Sequence, residues 1–434
     1  MDLKNQKQKL SWAMYDWANS AFATTVMAGF FPLFFKQYWA NKLAVGESTF
    51  LLGNANALAS ILVVILAPIL GSIADRGGAK KRFLLFFSMM GVVMTSALYM
   101  VAQGDWAMAL VVYILAVLGF SGSVVFYDAL LVEVAGEDEL DMVSAIGFSL
   151  GYLGGGLLFA FDVLMTLYPH TFGLDDAAQA VRVSFLSVAV WWGLFSIPVM
   201  LFVKEQRIYG EVGMTAAIGG GFRQLWETFH RIRKLRATFL FLAAYWLYID
   251  GVDTVVRMAV DYGMSLGFDS NHLILALLLT QFVGFPAAIL FGRLGQRRGA
   301  RQGVMIAIFV YFIVIVWAYQ MKSVWEFFAL ALIIGLVQGG IQALSRSFYA
   351  RIIPRTRSGE FFGFYNMMGK FAAVLGPMMM GWVAVLTGSP RLSILSILLL
   401  FIAGAILLAL VDEEEGRSQA HAFAAGPVSD GNLP

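Results

Sequence analysis

Four charged residues lie within one apolar stretch, YIDGVDTVVRMAVDYG, at residues 248–263. Asp253 and Arg257 are four positions apart, so on a helix they share one face and can form an ion pair. Charges placed in an apolar segment can also bind a ligand: Asp253 or Asp250 would receive an ammonium group, and Arg257 a carboxylate. Ligand binding and an ion network at the outer surface both remain open for Asp253 and Arg257, whereas Asp261 is expected in the network.

Lys370 is a further charge within an apolar segment, EFFGFYNMMGKFAAVLGP at residues 360–377. If that helix starts near residue 359, Lys370 lies about 16 Å along it, close to the centre of a bilayer. An ammonium group at this depth costs at least about 2.5–3.5 kcal/mol, so it should face the protein interior. It could bind a ligand carboxylate, exchange a proton, or form a fixed ion pair. Tyr365 and Asn366, about one turn earlier, could orient a ligand.

Two other polar groups occur on apolar segments. Asp16 and Asn19 form a polar face near the start of the first segment, which indicates either a ligand or coupling site or an ordinary polar helix end. Arg346 follows Gln338 and Gln342 at four-residue spacing, and this stripe predicts a cytoplasmic gate. Three more charges fall near predicted helix ends, where interfacial water would solvate them: Lys36, Asp128 and Asp162.

The composition predicts that these residues are positioned by membrane helices. The 434 residues are 59% hydrophobic and only 13% charged, whereas soluble chains contain about 25% charged residues. Apolar runs repeatedly reach the roughly 20 residues that span a bilayer. We predict an all-α integral membrane protein with about twelve transmembrane helices, over residues 11–37, 51–73, 82–102, 106–128, 142–166, 182–203, 237–261, 271–293, 302–321, 325–349, 359–387 and 391–411.

Charge distribution predicts the orientation and limits the function. Alternate connections hold 22 Lys and Arg on one side and four on the other, so both termini are expected in the cytoplasm. The net charge of +2 does not suggest nucleic acid. There is no cysteine, the four histidines are scattered, and no GxxxxGK(S/T) loop is present. No metal, cofactor or direct ATP use is therefore expected, and an ion or solute gradient would supply the energy.

An internal repeat predicts two related halves. GSIADRGGAKK at 71–81 and GRLGQRRGARQ at 292–302 share the spacing of Gly, Arg and Gly-Ala-(Lys/Arg), offset by 221 residues. Each copy follows the second helix of a six-helix set. We therefore predict four regions, namely an N-terminal bundle, a cytoplasmic linker, a C-terminal bundle and a disordered cytoplasmic tail, over residues 1–203, 204–236, 237–411 and 412–434. Two such repeats are typical of transporters, with the site between them at mid-membrane.

The first loop resembles the pattern Gly-x-x-x-Asp-Arg-x-Gly-x-(Lys/Arg)-(Lys/Arg) of the major facilitator superfamily, through Gly71, Asp75, Arg76, Gly78, Lys80 and Lys81. The resemblance implies a cytoplasmic latch between helices. Independently, such charges can bond helix ends in one conformation and not in another. The second copy has Gln296 in place of Asp75. Three further stretches resemble the branch of the autophagy-related vacuolar amino-acid effluxer and its bacterial relatives: YDWANSAF at 15–22, QALSRSFYARIIP at 342–354 and residues 360–377.

The resemblance implies a secondary active transporter that works by alternating access as a monomer in a bacterial inner membrane. In that superfamily the outer half of the seventh helix borders the central cavity, which implies a role there for Asp253. Amino-acid efflux is attributed to the vacuolar members, and proton coupling is conceivable through carboxylates such as Asp253 or Asp16. A lipid, sugar or drug is the alternative cargo, and a membrane-embedded enzyme or receptor is the alternative class. Gly147, Gly151 and Gly155 predict close helix packing.

Overall fold

The computed structural model describes residues 3–43, 45–205, 221–372 and 375–425. In this part of the chain, twelve helices are long and apolar enough to cross a membrane, as the sequence predicted. Their helical segments are Leu3–Ala21 with Phe22–Phe30, Phe31–Phe34 and Phe35–Trp39; Val45–Gly77; Lys80–Ala97; Trp106–Ala129; Leu140–Leu167; Ala177–Phe195 with Ile197–Phe202; Arg236–Ser265; Ser270–Arg298; Ala300–Gln320; Val324–Arg351; Ser358–Phe371 with Leu375–Thr387; and Pro390–Ser396 with Leu398–Ala409.

Several membrane helices are less regular than the sequence predicted, and the first and the eleventh bear on the central cavity. The first has π-helical turns over Phe22–Phe30 and Phe35–Trp39, on either side of the segment that contains Pro32, which has no backbone N–H to donate. The eleventh, predicted to be continuous over 359–387, consists of the two segments Ser358–Phe371 and Leu375–Thr387. Pro377 lies in the first turn of the second segment, where its missing N–H is tolerated.

The two halves of the chain pack against each other through several pairs of membrane helices. The second helix contacts the eleventh, and the fifth contacts both the eighth and the tenth. We call the side on which the first helix begins the basal side, and the opposite side the distal side. The turn around Gly78 and the helix ends at Val134, Arg298 and Arg351 lie on the basal side. The contacts between halves described below lie on the basal side or beside the central cavity.

The glycines of the fifth helix allow the first helix to approach closely. A Cβ atom added at Gly151 would lie 2.6 Å from Ser20 Oγ, and one at Gly155 would lie 2.8 Å from Thr24 Oγ1. Side chains at these positions would separate the two helices. The prediction of close packing at these glycines is therefore confirmed.

Two shorter helices lie outside the membrane spans. The linker helix, Gly221–Lys234, occupies part of the predicted linker. The C-terminal helix, Glu413–Ala425, replaces the disorder that the sequence predicted from Asp412, while 426–434 lie outside the described residues. It is held by tertiary contacts, which the composition of the tail does not reveal: Phe423 packs edge-on against Phe361, and Glu413 lies 3.7 Å from Arg351.

Candidate functional site

A central cavity of about 410 Å³ lies between the two halves. The first, fourth and fifth helices line it from one half, and the seventh, eighth, tenth and eleventh helices line it from the other. Its polar lining residues are Asp16, Asn19, Ser20, Thr24, Asp128, Tyr152, Tyr245, Asp253, Gln281, Gln342, Arg346, Tyr365, Asn366 and Lys370. Five charged and four amide side chains in one apolar membrane protein define a site for a polar ligand.

Arg346 joins carboxylates from two helices of the other half. Its Nη1 lies 3.1 Å from Asp128 Oδ1, and its Nη2 lies 3.3 Å from Asp16 Oδ2. Its Nε donates to Ser144 Oγ at 2.9 Å, and Nη2 donates to the Ser144 carbonyl at 3.0 Å. The guanidinium also lies 4.2 Å from the centre of the Phe148 ring. Because guanidinium donors form a planar fork, one arginine can bridge two carboxylates that a lysine would not bridge equally well.

The sequence placed Arg346 at a gate near the helix end, but the structure places it in the wall of the central cavity. Only 2% of Arg346 and 4% of Asp128 are exposed. Asp128 was expected near interfacial water, and that expectation was wrong because the end of the fourth helix is covered by other helices. Tyr127 donates to Asp16 Oδ2 at 2.8 Å, and Asn366 donates to Asp128 Oδ2 at 3.0 Å. The sequence analysis did not select Asp128 as a site residue, although its position within the apolar run VVFYDALLV is a signal of a buried charge.

Asn19 and Gln342 contribute amide groups to the same cavity. Asn19 is 3% exposed, and its Nδ2 has no hydrogen-bond partner among the described residues. Buried donors are normally satisfied, so a ligand group or a water molecule is expected at this atom. Gln342 Oε1 accepts a hydrogen bond of 3.0 Å from Tyr152, which links the two halves. Gln342 is therefore placed beside the cavity as well as in a contact between the halves.

Asp253, Lys370 and Tyr365 line the cavity from the second half of the chain. Lys370 is the second-last residue of the segment Ser358–Phe371, so it lies where the eleventh helix is interrupted. The Tyr365 ring stacks on Tyr245 with ring centres 4.2 Å apart. The structure thus brings together the acidic and basic residues that the sequence singled out on two separate helices. The side chains of Arg257 and Asp261 lie outside the described part of the chain.

Asp250 does not line the central cavity, contrary to the prediction that it receives a ligand ammonium. Its carboxylate is fully buried and accepts hydrogen bonds from the backbone N–H groups of Leu375 at 3.0 Å and Gly376 at 2.9 Å. Thr254 donates to it at 3.2 Å. The first N–H groups of a helix have no partner within the helix, so an acidic side chain stabilises that end. Asp250 therefore caps the second segment of the eleventh helix.

Gly71 and Asp75 contact the start of the eleventh helix, at the position where the sequence predicted a latch. Asp75 Oδ1 accepts from the Gly359 N–H at 2.9 Å, and Oδ2 accepts from the Glu360 N–H at 2.7 Å. A Cβ atom added at Gly71 would lie only 2.0 Å from the Gly359 carbonyl oxygen. The two backbones therefore meet without an intervening side chain, and the carboxylate binds the positive end of the neighbouring helix.

The lysines that follow have different partners. Lys80 is 3% exposed, and its Nζ binds Ser358 Oγ at 2.9 Å in the other half, while it also pairs with Asp75 at 3.3 Å and Glu133 at 3.0 Å. Lys81 does not reach the other half, because its Nζ donates to the carbonyl of Val203 at 2.6 Å.

Two other residues of the motif complete this region. Gly78 has a φ of 54°, which the turn between the second and third helices requires and which glycine adopts without strain. The side chain of Arg76 lies outside the described part.

Two buried polar clusters were not predicted. Arg351 Nη2 lies 2.6 Å from Asp141 Oδ2, and Ser347 donates to the same carboxylate at 2.6 Å. This ion pair joins the tenth helix to the fifth on the basal side. Asp162, expected near interfacial water, is fully buried in the first half and accepts a hydrogen bond from Ser187 at 2.9 Å. Among the described residues, no group of three or more His, Asp or Glu side chains is arranged to hold a metal ion.

Comparisons with known proteins agree with this architecture. The chain is 41% identical over 410 residues to the uncharacterized MFS-type transporter YxiO of Bacillus subtilis, covering 94% of this chain and 95% of that protein. It is 24% identical over 506 residues to Autophagy-related protein 22 of Saccharomyces cerevisiae (strain ATCC 204508 / S288c), covering 96% and 94%.

Solved structures share the fold at low sequence identity. The human organic anion transporter MFSD10 aligns with a TM-score of 0.69 and 15% identity, covering 94% of this chain and 100% of that chain. The transporter FucP in its outward conformation aligns with a TM-score of 0.67 and 14% identity, covering 94% and 99%. Likenesses at this identity establish the fold.

Twelve membrane helices in two halves around a polar central cavity define a major facilitator superfamily transporter, an integral multi-pass membrane protein that carries out secondary transport. The family described as "Vacuole effluxer Atg22 like" matches residues 45–141 and 133–421. The chain belongs to that family. The resemblance seen in the sequence is thereby confirmed, and the alternative classes of membrane-embedded enzyme and receptor are set aside.

Proposed function

We propose that this protein moves an amino acid across the inner membrane of a bacterium by alternating access. The observation that carries the proposal is that Asp253 and Lys370 line one cavity between the two halves. A free amino acid carries an ammonium and a carboxylate group at neutral pH, and these charges suit Asp253 and Lys370 respectively. The Tyr365 ring and the amide groups of Asn19 and Asn366 would orient the remainder of the molecule.

In this proposal the basal side faces the cytoplasm, and both termini lie there. The excess of Lys and Arg in the connections on that side supports this orientation. The contacts of Asp75 and Lys80 with the eleventh helix would then keep the cytoplasmic side closed, so the structure would be an outward-facing state. Residues 1–203 and 237–411 would rock as two domains about the cavity, joined by residues 204–236.

The family description suggests the direction of transport, and the buried charges around Arg346 suggest its driving force. Efflux is the direction that the family description names, and we extend it to this chain, which would act as a monomer. Asp16 and Asp128 share one arginine, so a proton that binds either carboxylate would weaken its bond to Arg346 and change the contact between the halves. Protons are therefore the coupling ion we propose.

Flux into proteoliposomes tests this function. The purified protein would be given a panel of labelled amino acids with and without a pH gradient, together with the variants Lys370→Ala and Asp253→Asn. Saturable, gradient-dependent uptake is expected for the wild type, and both variants should require a higher solute concentration for half-maximal uptake. Lys322→Ala is the matched control, because Lys322 is an exposed lysine on the distal side and its loss should leave uptake unchanged.

The contrary outcomes are equally specific. If folded wild-type protein moves no amino acid in either direction, the proposed cargo is wrong, and lipids, sugars and drugs would be tested in the same vesicles. If uptake persists in both variants at wild-type affinity, Asp253 and Lys370 do not bind the substrate. If uptake is the same with and without the pH gradient, protons are not coupled to transport.

A further inference from the structure

The linker helix carries an exposed aromatic patch. Trp226 is 63% exposed and Phe229 is 37% exposed, and their rings stack with centres 6.2 Å apart. Ile232, on another face of the helix, is 1% exposed, and the helix packs against the second and seventh membrane helices. The linker helix is therefore seated on the protein by one face and presents a tryptophan and a phenylalanine on another.

This aromatic patch is continuous with the surface that faces lipid. The Phe229 ring packs edge-on against Phe239, with ring centres 6.4 Å apart. Phe239 is 37% exposed and lies in the first turn of the seventh membrane helix, whose span begins at Arg236. The patch thus lies at the level where a membrane helix enters the bilayer. Aromatic side chains, tryptophan above all, are enriched at this boundary.

Basic residues follow the aromatic patch along the linker helix. Arg233 and Lys234 are exposed, and Arg231 is half-buried. Arg233 follows Phe229 by four residues and therefore shares the face of the aromatic patch. A helix at the membrane interface that presents aromatic residues together with Lys or Arg binds anionic phospholipid, because apolar burial and charge attraction act together. We propose that the linker helix is a binding surface for anionic phospholipids of the leaflet on the basal side. The proposal does not depend on which solute is transported.

The linker helix also contacts the latch between the two halves. Arg231 Nη1 lies 3.4 Å from Glu360 Oε1. Glu360 in turn donates its backbone N–H to Asp75 Oδ2 at 2.7 Å. A leaflet that fixes the linker helix in place keeps Arg231 beside Glu360 and so stabilises the closed latch. Anionic lipid bound at this helix thereby favours the state in which the basal side is closed.

The first experiment measures lipid binding. The full chain with Phe229→Cys, which is its only thiol because the sequence contains no cysteine, would be labelled with an environment-sensitive fluorophore. It would be placed in nanodiscs of phosphatidylcholine with increasing phosphatidylglycerol. Each basic residue near an anionic surface contributes about fivefold in affinity, so Arg233→Gln with Lys234→Gln should weaken the response to phosphatidylglycerol by about 25-fold.

The matched control is Arg297→Gln with Arg298→Gln, because these adjacent residues are also exposed at a helix end on the basal side. The fluorescence response of this control to phosphatidylglycerol should equal that of the labelled Phe229→Cys chain with no further substitution. If both double variants lose the response equally, or if the fluorophore does not respond to phosphatidylglycerol at all, the linker helix is not a binding surface for anionic lipid.

The second experiment measures how far the two halves are separated at the latch. Spin labels on cysteines placed at Arg82 and Thr356, which are exposed on the basal side, would report the distance between the basal ends of the third and eleventh helices in both lipid compositions. The population at the basal-closed distance should rise as phosphatidylglycerol is added. Arg231→Gln should remove that rise, while weakening the lipid response measured at residue 229 by about fivefold at most. An unchanged distance distribution in phosphatidylcholine and phosphatidylglycerol would overturn the coupling to the latch.

Discussion

Arg346 Nη2 and Asp16 Oδ2 lie 3.3 Å apart in a buried ion pair between residues separated by 330 positions in the sequence. The pair joins the first helix to the tenth, and Asp128 completes it from the fourth. Removing any one of these three charged groups would leave a buried charge without its partner and without access to water, so few substitutions should be tolerated here. The same three residues also line the central cavity, so the stability of the fold and the shape of the candidate site depend on one set of contacts.

Replacing Arg346 with glutamine should destabilise the folded protein strongly. Asp16 and Asp128 would lose their shared cation, and removing one partner of a buried pair costs about 3–5 kcal/mol. Arg346→Lys should cost less, because the charge remains although the two-pronged geometry is lost. Thermal unfolding in detergent measures both variants against Lys322→Ala. Wild-type stability of Arg346→Gln would contradict the assigned role of the ion pair.

Replacing Gly71 with alanine should open the latch, whereas the same change at Gly53 should not. A Cβ atom at Gly71 would lie 2.0 Å from the Gly359 carbonyl oxygen, but nothing lies within 4 Å of one at Gly53. Gly71→Ala and Gly53→Ala raise helix propensity by the same amount. Any difference between the two variants therefore reports the contact of Gly71 with Gly359. We expect thiol labelling of Ala74→Cys, a position that is fully buried, to be about tenfold faster with Gly71→Ala, a shift of about 1.4 kcal/mol. Equal labelling rates in the two variants would rule out close backbone contact here.

Replacing Asp250 with alanine should reduce stability without changing the apparent affinity for the transported solute. Asp250 caps Leu375–Thr387 through two backbone N–H groups, and losing a helix cap costs about 0.5–2 kcal/mol. Asp253→Asn should have nearly wild-type stability against unfolding but a weaker affinity for the transported solute. Unfolding curves and concentration-dependent uptake distinguish the two aspartates. A change in solute affinity in Asp250→Ala that exceeds the change in Asp253→Asn would show that the assignments are reversed.

Replacing Gly147 with alanine should perturb the Arg346 cluster while keeping every charge. A Cβ atom there would lie 2.6 Å from Asp16 Oδ2, 2.9 Å from Tyr127 OH and 3.0 Å from Arg346 Nη2. Overpacking of this kind typically costs about 1–3 kcal/mol. The control is Gly193→Ala, where the nearest atom would be Val92 Cγ1 at an ordinary 3.7 Å. Reduced transport and a lower unfolding temperature are expected only for Gly147→Ala, and equal behaviour of the two variants would argue against a tightly packed cluster.

Features that depend on local sequence could be predicted. The twelve spans follow from runs of apolar residues, and Gly71 and Asp75 followed from the spacing of their motif. Lys370 was expected to face the protein interior because a deeply placed ammonium group is costly in lipid, and it lines the central cavity. In each case the physical requirement acts within one helix or one loop, so the pattern of neighbouring residues carries the information.

Features that depend on distant partners could not be predicted. Asp128 lies near a helix end, and only the packing of other helices around it removes it from water. Asp250 and Asp253 are three positions apart on one helix, and only the interruption of the eleventh helix separates their roles. Arg346 lies in a polar stripe whose partners are more than 200 residues away in the sequence. Periodicity within a single helix contains no information about such pairs.

Lys80 and Arg351 form buried ion pairs that hold the basal side closed. A transported substrate must shift the equilibrium away from this closed state, whereas an inhibitor only has to occupy the cavity. Moving a two-state equilibrium from 1:99 to 99:1 requires a differential affinity of about 5.5 kcal/mol. In the alternating-access cycle that we propose, a solute that fits the cavity but binds both states nearly equally would leave these ion pairs intact. Such a compound would occupy the cavity as a competitive inhibitor, so its affinity alone would be a poor guide to whether it is a substrate.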